Sequence, residues 1–304
     1  MLDTETVNSD INRRLDVVRA NMIRCEATHP PIEPSRLEFP LLKDRIVIIT
    51  GASGDLGGAM TVECLVQGAV VYNLDRQDDH KTRQLLSTRF GKIPDAYQFL
   101  QADATDRKRV QELITRVIAK HDRINGLVLN AGTCQRLTFP ESSVADLQTD
   151  FANCVIAAFV PLQLALPYLQ AQGKGEGDFV PGSSVVFTTS ISAACGGDKS
   201  VTPEGKRSGW QYTFVKAGLE GMMKWLASDD EHFTPYRIRL NAIAPAGVHT
   251  EISKNSLYLP IRRLGRRPYA EDVAVETCLL LSRATNYKHG TTSYLQGGWY
   301  DGIG

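Results

Sequence analysis

The sequence predicts an α/β fold built on a parallel, doubly wound sheet, and three observations lead to this prediction. Short apolar runs alternate with segments of helical pattern along most of the chain. The first run, RIVIIT at 45–50, is continuously apolar, which is typical of a strand buried on both faces. A glycine-rich turn, TGASGDLG at 50–57, follows that run directly. Such alternation implies right-handed crossovers with helices on both faces of the sheet.

Seven segments are predicted as strands, and helices are predicted between most of them. The strands are 45–50, 69–74 (AVVYNL), 96–101 (AYQFLQ), 126–130 (GLVLN), 183–189 (SSVVFTT), 236–245 (YRIRLNAIAP) and 291–296 (TTSYLQ). The helices are 56–67, 106–120, 143–171, 210–231 and 269–283, and 75–92 is a charged segment without an assigned element. Seven strands in this arrangement predict a Rossmann-type sheet in a single domain.

The first 43 residues differ in pattern from the remainder. Apolar residues at helical intervals between Ile11 and Met22 predict a helix, and the prolines of HPPIEP predict an extended arm after it. Two roles stay open for this N-terminal extension: it packs on the domain surface, or it acts as an oligomer arm or a lid. Residues 44–304 contain no linker and are predicted as one domain, with a loop insertion at about 195–211.

Composition limits the classes of function. Lysine and arginine number 34, as do aspartate and glutamate, and this balance argues against a nucleic-acid partner. The six cysteines form no CxxC and have no histidine at ligand spacing, so we expect reduced thiols, buried or idle, and no metal. We find no apolar stretch of the roughly 18 residues that span a membrane. The N-terminus lacks an apolar h-region. We therefore expect a soluble, cytoplasmic protein.

The glycine-rich turn predicts a dinucleotide site. Gly51, Gly54 and Gly57 lie between a strand and a helix, where backbone N–H groups bind a pyrophosphate. Asp75 ends the second strand, where an acid hydrogen-bonds the ribose hydroxyls of NAD and repels the 2′-phosphate of NADP. NAD is therefore favoured, and Arg76 directly after Asp75 keeps NADP as the alternative.

The stretch YTFVK predicts an acid/base pair. Tyr212 and Lys216 are four residues apart and so share one face of a helix. An ammonium beside the phenol favours the phenolate and lowers the tyrosine pKa from about 10. The pair is then suited to proton transfer near neutral pH.

Together these motifs resemble the short-chain dehydrogenase/reductase family over about 44–304. The pieces occur in family order: LKDRIVIITGASGDLG, QADATD, LVLNAG with Leu129 in place of the first Asn, FANCVIAAF, VVFTTS, YTFVK, RLNAIAPAGVHT, RLGRRPYAEDVA and SYLQGGW. The resemblance implies an oxidoreductase that transfers a hydride between a nicotinamide cofactor and a secondary alcohol or ketone.

The resemblance also implies roles for single residues. Tyr212 is the general acid/base, and Ser190 hydrogen-bonds the same substrate oxygen. Lys216 binds the nicotinamide ribose and tunes Tyr212, and Asn153 holds a water that connects Lys216 to solvent. The implied cofactor-binding residues are Gly51, Ser53, Gly54, Asp55, Leu56, Gly57, Asp75, Arg76, Asp103, Ala104, Asn130, Ala131, Gly132, Tyr212, Lys216, Pro245, Gly247, Val248 and Thr250.

Two departures from the family pattern stand out. The turn reads TGxxGxxG because Asp55 occupies a usual glycine position, and this spacing is like that of the extended, epimerase-type branch. An aspartate at a helix start stabilises the helix if its carboxylate points sideways, which we expect, and weakens phosphate binding if it points at the ligand. The gap between Ser190 and Tyr212 is also longer than usual, and its Gly-rich, charged segment predicts a loop over the active site or a solvated bulge.

Three functions therefore remain open. The first is an NAD-linked alcohol dehydrogenase or ketone reductase, acting on a small alcohol or carbonyl compound as a homodimer or homotetramer, with no nucleic-acid or membrane partner. The second is a nucleotide-sugar epimerase or dehydratase, and the third is a non-redox nucleotide-binding protein. We expect the substrate among loops 133–142, 195–211 and 251–262, with Cys134, Gln135, Trp210 and Tyr258 as candidates.

Overall fold

The seven-stranded parallel sheet is confirmed. A computed structural model describes residues 40–135, 137–173, 182–196, 209–248, 250 and 267–298. Within these ranges the strands are β1 Ile46–Thr50, β2 Val70–Asp75, β3 Tyr97–Gln101, β4 Gly126–Leu129, β5 Ser184–Thr188, β6 Arg239–Pro245 and β7 Thr292–Leu295. All neighbouring pairs are parallel, and the order is β3-β2-β1-β4-β5-β6-β7.

Helices cover both faces of the sheet. They are α1 Asp55–Val66, α2 His80–Phe90, α3 Arg107–His121, α4 Val144–Phe151, α5 Ala157–Ala171, the short α6 Ile191–Cys195, α7 Trp210–Ala227 and α8 Ala270–Leu281. Every residue of β1 is buried, as its apolar run predicts. Because side chains alternate along a strand, Ile46 and Ile48 face one core and Val47 and Ile49 face the other.

The strand order creates a crevice between β1 and β4. The chain runs outward from β1 to β3 and then returns to place β4 on the other side of β1. Thr50 pairs with Leu129 in this register, so the turns that follow the two strands lie side by side. Ligands of open α/β sheets bind at such a switch point, beyond the carboxyl ends of the strands.

The helices differ from the prediction in four places, one of which is the short helix α6, which was not predicted. The charged segment 75–92 contains helix α2, which Gly91 ends in the left-handed conformation at φ 73°. The helix predicted to run to 231 ends at Ala227. The helix predicted over 143–171 is interrupted by a π-helical turn at Ala152–Ile156. Its start matches the prediction, because Ser143 and Asp146 form a capping box there.

The expectation that no apolar stretch reaches membrane-spanning length is wrong. The helical segment Val144–Ala171 is long and apolar enough by length and composition. In the fold it is partly buried, and Leu162, Ala165 and Leu169 pack in the core on one face of the sheet. A helix in a protein core can be equally long and apolar. Packing against the sheet therefore accounts for the apolar character of Val144–Ala171.

The segment just before β1 packs onto the domain. Leu42 is fully buried, and its backbone N–H donates to the carbonyl of Gln67 at 2.9 Å. The N–H of Leu41 donates to the Gln67 side chain at 3.1 Å. The helix and arm predicted for 1–43 otherwise lie outside the described residues.

Candidate active site

A cleft of about 430 Å³ opens at the carboxyl ends of the strands, over the switch point between β1 and β4. The structure brings all but one of the predicted catalytic and cofactor-binding residues to this cleft. Its lining includes Gly51, Gly54, Asp55, Leu56, Gly57, Asp75, Arg76, Asp103, Ala104, Asn130, Ala131, Gly132, Asn153, Ser190, Tyr212, Lys216, Pro245, Gly247, Val248 and Thr250. The sequence did not single out Thr188, Thr189 and Thr213, which also line it.

Ser53 lies behind the cleft wall. It is buried, and its backbone N–H donates to Oδ2 of Asp75 at 2.9 Å. Its Oγ accepts a hydrogen bond of 3.3 Å from Nδ2 of the buried Asn73. Ser53 therefore orients Asp75 and braces the glycine-rich turn from below.

The glycine-rich turn leaves no room for side chains at two of its positions. Gly51 adopts φ +67°, and a Cβ on it would lie 2.7 Å from Cα of Ala131. A Cβ on Gly57 would lie 2.2 Å from the carbonyl oxygen of Gly51. Gly54 caps helix α1, and the first residues of that helix, Asp55, Leu56 and Gly57, line the cleft. This tight turn at a helix start fits a pyrophosphate.

Hydrogen bonds tie the turn after β4 to the glycine-rich turn. The Thr50 hydroxyl accepts from the backbone N–H groups of Asn130 and Ala131, each at 3.1 Å. The Asn130 side chain donates to the carbonyls of Thr50 and Gly51 at 3.2 and 3.0 Å. The two turns therefore form one rigid floor of the cleft.

Asp55 is the first residue of helix α1, and its carboxylate pairs with the ammonium of Lys81 on α2. Half of the Lys81 side chain is exposed, whereas only 18% of the Asp55 side chain is. No sequence signal pointed to Lys81, because α2 itself was not predicted. The contact draws the acid toward the neighbouring helix and provides a cation beside the extra negative charge of the turn.

Asp75 is held at the end of β2 by two backbone donors. Oδ2 accepts from Ser53 and Oδ1 from the N–H of Gln77, each at 2.9 Å. A carboxylate has about four lone-pair positions, so two of them are left for a ligand. Asp103, at the end of β3, has Oδ1 occupied by the N–H and hydroxyl of Thr105 at 2.8 and 2.7 Å.

Arg76 and Asn153 meet in the cleft. The guanidinium donates to Oδ1 of Asn153 at 3.3 Å. Asn153 lies in the π-helical turn, and such turns are frequent at functional sites because they re-aim side chains. The predicted water link from Asn153 to Lys216 stays a prediction.

Ser190, Tyr212 and Lys216 form a connected cluster on the other side of the cleft. Ser190 lies near the Tyr212 hydroxyl and acts on its electrostatics, and the Oγ of Ser190 accepts from the N–H of Ser192 at 3.2 Å. Lys216 is buried, and its Nζ donates to the carbonyl of Thr188 at 2.8 Å. That Nζ lies 5.7 Å from the centre of the Tyr212 ring.

The electrostatics differ from the expectation for Tyr212. Burial raises its pKa above the ordinary value, and the ammonium of Lys216 and the nearby Ser190 hydroxyl only partly oppose this. Burial also acts to lower the pKa of Lys216, but the negative charges that Tyr212, Cys154 and Cys134 can carry raise it overall. Lys216 therefore stays an ammonium, as the predicted pair requires, while the phenol of Tyr212 stays protonated at neutral pH.

The cysteines of the described ranges are free thiols, and four of them lie in pairs. Sγ of Cys134 is 3.5 Å from Sγ of Cys154 in the cleft wall. Sγ of Cys64 is 3.7 Å from Sγ of Cys278, between α1 and α8. The sequence could not reveal these pairs, because their members are far apart along the chain.

The predicted substrate side is described only in part. Cys134 and Gln135 line the cleft. Trp210 is not part of the described lining: its ring packs edge-on against Phe139 at 5.1 Å, and its Nε1 donates to Ser142 at 2.9 Å. Tyr258, the loop 251–262 and most of the insertion 195–211 lie outside the described residues.

This geometry is that of a dinucleotide-binding α/β protein with a serine, a tyrosine and a lysine beside the cofactor cleft. A family model described as short chain dehydrogenase matches residues 45–257. The chain belongs to this family, and the resemblance read from its motifs is confirmed.

Similar proteins lie in the same family at moderate identity. The L-rhamnose 1-dehydrogenase (NAD(P)(+)) of Azotobacter vinelandii is 28% identical, over 86% of this chain and 98% of that protein. The levodione reductase of Leifsonia aquatica is 26% identical, over 84% of this chain and 94% of that protein. Among solved structures, levodione reductase has a TM-score of 0.70 at 22% identity, covering 84% of this chain and 98% of that one. A ligand-free aldohexose dehydrogenase of Thermoplasma acidophilum has a TM-score of 0.67 at 21% identity, over 88% and 98% of the two chains.

Proposed function

We propose that this protein is an NAD-linked oxidoreductase that interconverts a secondary alcohol and the corresponding ketone, with Tyr212 as the general acid/base. The observation that carries the proposal is the cluster in which Ser190 and Tyr212 line the same cleft while Lys216 lies beside the Tyr212 ring. The cluster faces the same cleft as the glycine-rich turn. A substrate oxygen placed at Ser190 and Tyr212 would therefore lie in the cleft that holds the cofactor.

The roles of the chain's own groups follow from this arrangement. In the direction of oxidation, the phenolate of Tyr212 accepts the hydroxyl proton of the alcohol, and in reduction the phenol returns a proton to the carbonyl oxygen. The Ser190 hydroxyl stabilises the charge that develops on that oxygen. Lys216 is fixed by the Thr188 carbonyl and favours the phenolate when it forms. The nicotinamide ring, when bound, supplies or accepts the hydride.

Two residues at the end of β2 support NAD over NADP. Asp75 has acceptor positions left for ribose hydroxyls and a negative charge that opposes a 2′-phosphate. The guanidinium of Arg76 is engaged by Asn153, and binding a 2′-phosphate through it would require that hydrogen bond to break. NADP stays the alternative cofactor, in keeping with the NAD(P)(+) in the name of the rhamnose dehydrogenase.

The relatives suggest the substrate class. L-rhamnose, mannitol and aldohexoses occur in the names of similar proteins, and levodione in that of another. We infer that sugars, polyols and cyclic ketones are the compounds to test first.

A non-redox function is supported mainly by Asp55 in the glycine-rich turn, because a carboxylate that points at the ligand weakens phosphate binding. Its pairing with Lys81 weakens that support, because the carboxylate has a cationic partner on α2. The epimerase alternative has only the spacing of the turn in its favour.

Titration of the pure protein with NADH and NADPH, followed by cofactor fluorescence, tests the proposal. We expect micromolar NADH binding and weaker NADPH binding, then reduction of NAD with a sugar, polyol or cyclic alcohol. Tighter NADPH binding would assign the cofactor choice to Arg76. Binding of neither nucleotide would favour the non-redox alternative.

We further propose that the protein is a homodimer or homotetramer. Large apolar side chains are exposed on the surface helices, namely Phe159 on α5 and Phe214 and Trp225 on α7. Exposed apolar surface of this kind marks interaction sites. Sedimentation or light scattering tests the oligomeric state. The cytoplasmic location stays a prediction.

A further inference from the structure

Two cysteines face each other beside the catalytic cluster. Cys134 lies in the turn after β4. Cys154 directly follows Asn153 within the π-helical turn. Their Sγ atoms are 3.5 Å apart and share a hydrogen bond. Sγ of Cys154 also contacts the carbonyl of Thr133 at 3.6 Å. The pair therefore joins the two segments that carry Gly132 and Asn153.

Lys216 provides a cation for this pair. A Cβ on Gly132 would lie 3.2 Å from Sγ of Cys154 and 3.4 Å from Nζ of Lys216, so the thiol and the ammonium flank the same glycine. The hydrogen bond from Cys134 and the charge of Lys216 lower the pKa of Cys154 to about 7, although burial acts in the opposite direction. The same hydrogen bond raises the pKa of Cys134. Near neutral pH the pair therefore exchanges between two thiols and a state in which one thiol and one thiolate share a proton.

The two sulfurs differ in access to solvent. Cys134 is half-buried and lines the cleft, whereas Cys154 is buried behind it. A small oxidant that enters the cleft meets Cys134 first. Because the two sulfurs share one proton, the charge can reach Cys134 by transfer of that proton to Cys154.

We propose that Cys134 and Cys154 form a modification site that takes a small peroxide in the cofactor cleft and closes to a disulfide. The thiolate of Cys134 attacks the peroxide, and the O–O bond breaks. The hydroxide that leaves takes the proton of the Cys154 thiol and becomes water, so a sulfenic acid is left on Cys134 and a thiolate on Cys154. Sulfur of Cys154 then attacks the sulfenic sulfur, the S–S bond forms, and the S–O bond breaks. Starting from one thiol, one thiolate and hydrogen peroxide, the products are the disulfide, one water and one hydroxide. Two sulfurs are oxidised and the peroxide is reduced.

Closure of this disulfide alters the catalytic side of the cleft. The sulfurs must approach from 3.5 Å to about 2.05 Å, so the turn carrying Gly132 and the turn carrying Asn153 are drawn together. The negative charge beside Lys216 disappears at the same time. Because displacements of about 1 Å in an active site can lower the rate by about 10²-fold, we expect the disulfide form to turn over at least about tenfold more slowly.

The second thiol pair is a matched control. Cys64 and Cys278 are separated by a similar distance, 3.7 Å, but both are buried between α1 and α8. Burial raises the pKa of Cys278 well above its ordinary value, and the hydrogen bond with Cys64 adds to this. No lysine is among the groups that act on the pKa of Cys278, so this thiol stays protonated at neutral pH. Distance alone therefore does not make a reactive pair.

The experiment treats the purified full-length protein with hydrogen peroxide and identifies the product by intact mass and by peptide mapping without reduction. We expect loss of two hydrogen atoms and a peptide that links Cys134 to Cys154. C134S and C154S should each prevent this product, whereas C64S should leave it unchanged. Saturating NADH should slow the reaction, because Cys134 is reached through the cleft. Dithiothreitol should reverse both the mass change and any loss of turnover.

The mass readout of the peroxide experiment requires no substrate. Failure of the disulfide to form is therefore distinguishable from failure of the proposed function. A Cys64–Cys278 bridge, a bridge to another cysteine, or stable sulfinic acid on a single cysteine would overturn the site. Formation of the Cys134–Cys154 disulfide with undiminished NADH binding and turnover would overturn its effect on the cleft. Equal oxidation rates in wild-type protein with and without NADH, at a concentration that the fluorescence titration shows to be saturating, would contradict access through the cleft. If that titration shows no NADH binding, the proposed function fails and the mass readout alone tests the cysteine pair.

Discussion

Nζ of Lys216 lies 5.7 Å from the centre of the Tyr212 ring and is fixed by a 2.8 Å hydrogen bond to the Thr188 carbonyl. The two residues are one turn apart on helix α7, and Thr188 ends the neighbouring strand β5. The ammonium is therefore positioned by the sheet as well as by its own helix. Its charge acts on Tyr212 against the effect of burial.

Replacement of Tyr212 by phenylalanine should remove turnover and leave NADH binding nearly intact. The hydroxyl is the proposed proton donor and acceptor, and such a group contributes about 10²- to 10⁴-fold to the rate. Steady-state kinetics and a fluorescence titration with NADH measure the two effects separately. Tyr294→Phe is the control, because it removes a hydroxyl that bonds Glu220 on the same helix. An unchanged rate in Tyr212→Phe would show that Tyr212 does not transfer the proton.

The pH dependence of oxidation should respond to Cys154. Tyr212 must be deprotonated to accept a proton, so the rate of alcohol oxidation rises as the pH rises through the tyrosine pKa. The negative charge on Cys154 contributes to raising that pKa. In Cys154→Ser the charge is absent, so the pKa falls and the rise in kcat/KM moves to lower pH. Cys64→Ser should leave the midpoint in place, and a shift to higher pH in Cys154→Ser would contradict the charge effect.

Replacement of Asp75 by asparagine should change cofactor choice. It removes a charge that favours ribose hydroxyls and opposes a 2′-phosphate, and it leaves one fewer acceptor for Ser53 and Gln77. Hydrogen bonds to charged groups contribute about 1.5–3 kcal/mol, so we expect NADH binding to weaken by about tenfold or more. NADPH binding should weaken less or improve. Asp78→Asn changes an exposed carboxylate of the same loop and should alter neither affinity.

The ion pair of Asp55 with Lys81 should affect cofactor binding. In Lys81→Met the carboxylate loses that cation at the start of helix α1, so NADH should bind about two- to fivefold more weakly, the range expected for an exposed pair. The loss should shrink as salt is added. In an Asp55→Gly background, Lys81→Met should have little effect. Equal losses in both backgrounds would show that Lys81 acts by some other route.

Replacement of Gly57 by alanine should destabilise the fold and weaken cofactor binding. The added Cβ would lie 2.2 Å from the Gly51 carbonyl, so the glycine-rich turn must shift. Overpacking of this kind costs about 1–3 kcal/mol in the free energy of unfolding, measurable by urea denaturation. Gly221→Ala is the control, because a Cβ in that exposed helical position meets nothing within 4 Å. That variant should be more stable by about 0.5–1 kcal/mol.

The sheet was predictable because its signals are local. Continuous apolar runs mark β1 and β5, and the glycine-rich turn marks the switch point without any knowledge of contacts. Helix α2 was missed because its residues are mostly polar, and Thr82 and Leu86 are its only buried residues. A pattern search has little to detect in such a helix.

The site was predictable by residue type but not by its contacts. The spacing of Tyr212 and Lys216 places them on one helix face, but the balance of burial against the lysine charge depends on the surrounding cleft. The Asp55–Lys81 pair and the Cys134–Cys154 pair join residues from different elements. Such pairs are set by the packing of helices and turns, and no local sequence signal encodes them.

The π-helical turn at Ala152–Ile156 has a consequence for how this chain is compared with others. A π-helical turn holds one residue more than an α-helical turn, and each α-helical residue advances the helical wheel by about 100°. The wheels of Val144–Phe151 and Ala157–Ala171 are therefore out of phase by about that angle. A single-residue deletion in this turn would bring them into phase and rotate every side chain of the first half away from its present neighbours. The π-helical turn therefore sets the rotational offset between the two helical segments. An alignment that places its gap elsewhere would match the wrong residue to Asn153.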